Sequence, residues 1–205
     1  MGKNFDVELL VRGRPLAKER AAAAAGLLSA TAPWIGEPRS VSVHDVNSDA
    51  FLEEPWPEGE RHLSRDLPGA LLVYVHTLAT RANRGGAVGV EQGAQLTSFR
   101  IAIPMEVIAA IAIERLEGSL WEFYGVLASR WETVLLAGPE FSRDEESTDL
   151  REAVAAELTA TSLITHVIGR REMMPAEPQS FMVVSVAGTA LMLRHQFAEV
   201  RLRAT

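Results

Sequence analysis

The stretch from Thr97 to Trp131, TSFRIAIPMEVIAAIAIERLEGSLWEFYGVLASRW, limits the choice of fold more than any other. It asks one short length of chain to bury an apolar strand, a Pro-started segment and an aromatic helix. Four of the thirteen aromatic residues (Trp121, Phe123, Tyr124, Trp131) fall within eleven positions here, and each large ring buries roughly 150–250 Å². Leu120, Phe123, Tyr124, Leu127 and Trp131 recur at helical spacing, which predicts a core-facing stripe. Ser119 and Glu122 have the Ser-x-x-Glu spacing of a capping box, which places a helix start after Gly118. Gly125 inside that helix costs about 1 kcal/mol relative to alanine, an expense that suggests another backbone passing close by. Upstream, Val107, Ile108, Ile111 and Leu116 fit a helix begun at Pro104, although the β-branched run also suits a buried strand.

The flanking sequence alternates between the two periods. Residues 4–12 (NFDVELLVR) set Phe5, Val7, Leu9 and Val11 against Asp6, Glu8 and Leu10, the signature of a half-buried strand. After Gly13-Arg14-Pro15 an alanine-rich helix is expected to about Thr31, with Leu16, Ala23, Leu27 and Ala30 as a narrow stripe and small residues that let it lie close to a sheet. Trp34 sits where this helix should end. Residues 41–46 form a short strand, and 47–68 an acidic, Pro-rich loop, with Pro55, Pro57 and Pro68 as breakers. Loops this long are usually functional or disordered. Leu71, Leu72, Val75, Leu78 and Ala79 place a helix over 69–81. Residues 87–91 and 95–103 read as a hairpin about Gly93. A strand is expected at 133–137 and an Asp149-capped helix after it. A strand or helix end follows over 162–168, then a hairpin across Ala187-Gly188 and an edge-like run at 197–203. The sum is an α+β fold, a mixed and mainly antiparallel sheet packed by several helices, in a single domain spanning 1–205.

Composition narrows the chemistry. The chain has 205 residues, of which 47% are hydrophobic and 23% charged, ordinary values for a globular protein. With no cysteine, disulfides, thiolate metal sites and cysteine nucleophiles are excluded. No signal-peptide pattern or apolar run of membrane-spanning length is evident, so a cytoplasmic protein without membrane association is expected. The net charge of −7 is local. Residues 40–60 hold six carboxylates (Asp45, Asp49, Glu53, Glu54, Glu58, Glu60) and no Lys or Arg; residues 140–152 hold six more, among them Glu145 and Glu146, against Arg143 and Arg151. Such faces repel nucleic acid and attract basic partners. They also serve simply as solvated loops that keep a protein soluble. Trp56, in EEPWPEGE, is either a partner anchor or a ring folded back on the core.

Catalytic signatures are missing. The histidines (His44, His62, His76, His166, His195) lack metal-ligand spacing, and His44-Asp45 neighbours point to opposite faces of a strand. His62-Leu63-Ser64 is half of a His-x-Ser phosphoesterase motif without its second copy. No G-x-S-x-G elbow, GxGxxG turn or P-loop is present. No cofactor, metal or catalytic residue is assigned.

The order of features resembles that of bacterial toxin immunity proteins of the group termed immunity protein 52. The similarity lies in an N-terminal strand, a helix ending near Trp34, a mid-chain helix, a hairpin leading to a strand closed by proline (FRIAIP), a helix ending in Trp131 before ETVLLAGP, and the late Leu-Ile-Thr-His, Met-Pro and Val-Ala-Gly-Thr series. The resemblance implies a single α+β protein that binds a cognate secreted toxin, a nuclease in a type VI secretion setting, and masks its active site without being an enzyme. Asp45, Asp49, Glu53, Glu54, Trp56, Glu58, Glu60, Glu145 and Glu146 are the expected contacts. The alternatives are a small cytoplasmic hydrolase using His44, His76 or His166, and a phage-derived structural or adaptor protein.

Overall fold

The computed structural model describes residues 4–45, 49–65, 71–77, 85–93, 95–140, 149–158, 163–174, 181–186 and 188–194. In chain order the elements are β1 (Asn4–Arg12), α1 (Ala17–Ile35), β2 (Pro38–Asp45), β3 (Ala50–Pro55), β4 (Leu71–Thr77), β5 (Ala87–Gln92) and β6 (Leu96–Pro104). There follow a single turn, α2 (Met105–Ile108), then α3 (Ile113–Ala128), β7 (Thr133–Pro139), α4 (Leu150–Glu157), β8 (His166–Arg170), β9 (Phe181–Val186) and β10 (Thr189–Arg194). Short 3-10 turns occupy Glu58–Ser64 and Arg171–Met173.

The strands join one sheet in the order β3-β2-β4-β5-β6-β1-β7-β8-β10-β9. Every adjacent pair is antiparallel. Counting inversions across the sheet makes β2 parallel to β1, and β7 parallel to β6. Parallel strands need a long crossover, usually helical, and α1 and α3 supply the two crossovers. Both helices lie on the same face, over Phe5, Val7, Leu9, Val41, Val75, Phe99 and Ile101. The helix α4 covers the opposite face, but only over the β1-β7-β8-β10 half, with Leu10, Val134, Leu136, Val167 and Ala190 beneath it. β1 is therefore not half-buried as its alternation suggests: Leu10 is as buried as Leu9, because each face carries its own helix.

The α3 stripe is buried at Leu116, Leu120, Phe123, Tyr124 and Leu127, with Trp131 packed at its margin. Trp121 is half-buried and meets Tyr124 edge-on at 6.0 Å. The helix begins six residues before Ser119 and passes straight through Gly118, so Ser119 and Glu122 lie in its interior and form no capping box. Burying the upstream turn through Leu116 outweighs the propensity cost of Gly118. Nor does a backbone pass close to Gly125, where an added Cβ would meet nothing within 4 Å. The close approach runs through Gly26 of α1, whose added Cβ would lie 3.0 Å from Val126 Cγ1.

Three further expectations are corrected. Residues 71–77 form β4 and not a helix. Val73, Val75 and Thr77 are buried beneath α1 while Tyr74 and His76 face the other way, and partners on both sides decide between two periods that a short apolar run satisfies equally. The expected 47–68 loop contains β3 and a 3-10 turn, with Pro55 closing the strand and Pro57 preceding the turn, while Pro68 lies outside the described residues. In α1, Leu16 is 62% exposed, and the buried face includes Arg20, Thr31 and Trp34, since the helix continues through Pro33 to Gly36. The hairpins β5-β6 and β9-β10 and the Asp149 cap of α4, which accepts the Arg151 N–H at 2.7 Å, agree with the sequence. The 197–203 run and the 78–81 end of the expected helix lie outside the described residues.

Because Gly118 and Gly125 are exposed and have open space, Gly118→Ala and Gly125→Ala should each raise the unfolding free energy by about 0.5–1 kcal/mol. Phe123→Ala, at a fully buried site, should lower it by about 3–5 kcal/mol. Urea denaturation of the three variants measures both effects.

Candidate functional site

The acidic residues singled out between Asp45 and Glu60 gather at one edge of the sheet. The chain leaves β2 at Asp45 and re-enters as β3 after Asp49, whose φ of 52° is the left-handed geometry that Asp tolerates in turns. β3 then runs along the outside of β2, with Val43↔Leu52 and Ser42↔Glu53 in register. Its side chains are mostly exposed: Phe51 is 66% and Leu52 43% accessible.

Past β3 the chain folds back over the α1 face. Trp56 N–H donates to Arg39 O at 2.9 Å, and its ring is half-buried against the main core. The Trp56-Pro57 peptide is cis. In the following 3-10 turn Gly59 sits on Val41, where an added Cβ would lie 2.7 Å from the valine Cβ. Glu54 fastens the turn, accepting from Arg61 Nη2 at 2.7 Å and lying 3.2 Å from His62 Nε2. Buried Arg20 of α1 donates to Gln92 Oε1 at 2.9 Å and to Arg65 O, tying the end of the turn to the helix and to β5. Glu54 and His62 thus build the edge, while Asp49, Glu53, Glu58 and Glu60 remain on its surface. Pro57, Glu58, Glu60 and Arg61 rim a depression of about 350 Å³, floored by Ala21 and Leu63. Glu145 and Glu146 lie outside the described residues.

The four described histidines do not form a common centre; His195 lies outside the described residues. His44 Nε2 meets Asp49 Oδ1 at 3.1 Å across the turn, not its neighbour Asp45. His76 Nε2 meets Ser42 Oγ at 2.7 Å on the same sheet face, in register with Ser40 and so four residues along β2 from His44, about 13 Å away. The Ser42-His76 pair sits on strands laddered on both sides, which commits the neighbouring backbone donors that an oxyanion would need. His166 is fully buried beside Phe5, with Nδ1 2.8 Å from Thr165 Oγ1. Among the described residues no group of three or more His, Asp or Glu side chains could hold a metal ion.

A polar cluster on the face opposite α1 carries no sequence signal. Buried Glu8 accepts from Ser98 Oγ at 2.7 Å, and Arg100 reaches toward both Glu8 (3.6 Å) and Glu91 (3.5 Å). Tyr74 lies across Gly89, whose added Cβ would fall 2.4 Å from the ring. Next to it, burial pushes the Asp6 carboxyl up to about 6, with Arg100 opposing the rise and Glu140 adding to it. Burial also holds His166 down, at about 4.

No family model and no curated protein matches the chain. Among solved structures its fold is similar to that of the Pseudomonas aeruginosa T6SS protein PA0821, with a TM-score of 0.50 over 94% of this chain and 69% of that one. The identity is 10%, so the likeness is one of fold.

Asp6 and His166 give stability opposite pH slopes. Asp6, raised above the ordinary 3.8, stabilises the fold below that pH, and this contribution is lost as pH rises toward 6. His166, lowered from 6.5, stabilises above 6.5, and that contribution is lost as pH falls toward 4. Between 4 and 6 the two offset. Asp6→Asn should therefore steepen the gain in stability from pH 4 to 6 relative to the parent protein, and His166→Gln should reduce or invert it; urea midpoints across that range test both signs.

Proposed function

We propose that the protein is an immunity protein of a type VI secretion system, binding a cognate toxin and blocking its active site without catalysing a reaction itself. The observation that carries this reading is the β3 edge and its turn, where exposed Phe51 and Leu52 stand among Asp49, Glu53, Glu58 and Glu60 on a braced scaffold. Exposed apolar residues rimmed by charge mark protein-binding surfaces. The negative rim would steer a basic partner, such as a nuclease whose site binds phosphates, since complementary charge speeds encounter and selects partners. The fold it shares with a T6SS protein supports the secretion context. No described helix is long and apolar enough to cross a membrane.

In this reading Asp49, Glu53, Glu58 and Glu60 steer, Trp56 supports the surface from beneath, and Glu54 is a brace. A Glu53→Lys, Glu58→Lys, Glu60→Lys triple variant, with Glu54 kept, should associate with the toxin encoded by the neighbouring reading frame at least about tenfold more slowly at low salt. Stopped-flow measurement of association checks this. An unchanged rate together with undiminished protection of toxin-expressing cells would overturn the site; no complex between the parent proteins would overturn the function.

A further inference from the structure

We propose that β3 is a pairing edge, taking an extended, positively charged segment of the partner as an additional strand of the sheet. The proposal rests on reading β3 and its turn as the toxin-binding site, and it names the mode of binding.

The backbone phase is fixed by Trp56 N–H donating to Arg39 O. In an antiparallel pair, hydrogen-bonded and non-hydrogen-bonded positions alternate. With the register Glu54↔Val41, Glu53↔Ser42, Leu52↔Val43 and Phe51↔His44, Glu54 and Leu52 bond inward to β2. Phe51, Glu53 and Pro55 present their backbone groups outward. Pro55 stands where its missing N–H costs the ladder nothing, the position that edge strands allow proline. An incoming strand finds both groups of Phe51, both of Glu53 and the Pro55 carbonyl along an edge of about 20 Å.

Side chains set what that strand must be. Phe51 and Leu52 point to opposite faces, so apolar residues of a paired strand can pack on either side of the sheet. Residues 49–64 carry five carboxylates against Arg61 alone, a net charge of −4, and Arg61 is engaged by Glu54. A second copy of the chain would bring the same charge to the same edge and be repelled. A strand interleaving Lys or Arg with apolar residues would be attracted. Acidic edges also serve to prevent aggregation, and here they do so against like copies while leaving a basic strand free to pair. The Glu54 brace and the Gly59-Val41 contact hold β3 in place before binding, so little ordering is needed on association.

The test uses the peptide (Lys-Val)4, the same peptide N-methylated at every residue so that neither edge can donate, and (Glu-Val)4. Amide hydrogen exchange should show the Phe51 and Glu53 N–H groups slowed at least tenfold by (Lys-Val)4 at millimolar concentration and unaffected by the other two. Glu53→Pro and Phe51→Pro each remove an outward donor and no inward one, and each should abolish the protection of the other position's N–H, while Glu53→Gln should weaken it. Because the N-methylated peptide probes the unaltered protein, a variant that misfolds does not spoil the test. Protection located elsewhere, equal protection by the N-methylated peptide, no protection at all, or self-association through β3 would each overturn the pairing edge. Toxin binding that survives Phe51→Pro but is lost in the triple lysine variant would overturn the edge while leaving the immunity function standing.

Discussion

The position of β1 is the constraint on which the rest of the architecture depends. The strand formed by the first residues of the fold pairs with β6 on one side and β7 on the other, linking two runs of antiparallel strands that have no other shared ladder. Nine consecutive residues are in register with β6 and seven with β7. Because β6 and β7 flank the same strand they are parallel, and the chain between them has to cross over it; α3 is that crossover, and its aromatic stripe is buried as a consequence. The same logic sends α1 from β1 out to β2. The two helices on one face follow from where a single strand is inserted, whereas α4, between the antiparallel neighbours β7 and β8, covers half of the other.

That arrangement decides which part of the sheet is left uncovered. Among the described residues the half near β7 and β8 is covered on both faces, whereas toward β3 the sheet carries one helical layer and ends in the β3 edge. The 3-10 turn after β3 replaces a helix at this margin, held by Glu54, Arg61, His62 and the buried Arg20-Gln92 contact. Polar groups commonly seen as functional candidates, such as a histidine beside a carboxylate, here fasten a surface. His166 illustrates the opposite extreme: it fills the core beside Phe5, and its neutral form is the one that burial favours.

Much of the fold was legible because period-2 alternation and turn residues act locally. β1, the β5-β6 and β9-β10 hairpins, the α3 stripe and the Asp149 cap could all be placed from neighbouring residues alone. The pattern of β4 is not decisive, because LLVYVHT satisfies either period and the choice is made by β2 and β5. The glycines of α3 differ from their local pattern in the opposite direction: Gly118 has the spacing of a helix stop and Gly125 that of a close approach, but both face open space, and the close contact falls on Gly26. For the candidate site, the sequence marked the acidic residues and Trp56. It could not separate Glu54, which braces the turn, from Glu53, which faces outward, because adjacent strand residues differ only in the face they occupy.

What the sequence determined by itself is the class of the protein: an α+β chain with a core large enough to fold, no thiol chemistry, and negative charge concentrated around residues 45–60. These follow from composition and short-range pattern, which are properties of the residues wherever the chain goes. Only the tertiary structure decided that β1 lies mid-sheet, that residues 50–64 are an edge strand with a braced turn, and that Phe51, Glu53 and Pro55 turn their backbone groups outward. Strand order and hydrogen-bond phase depend on partners far away in the chain, and no local pattern encodes which of two equivalent faces or edges those partners will take.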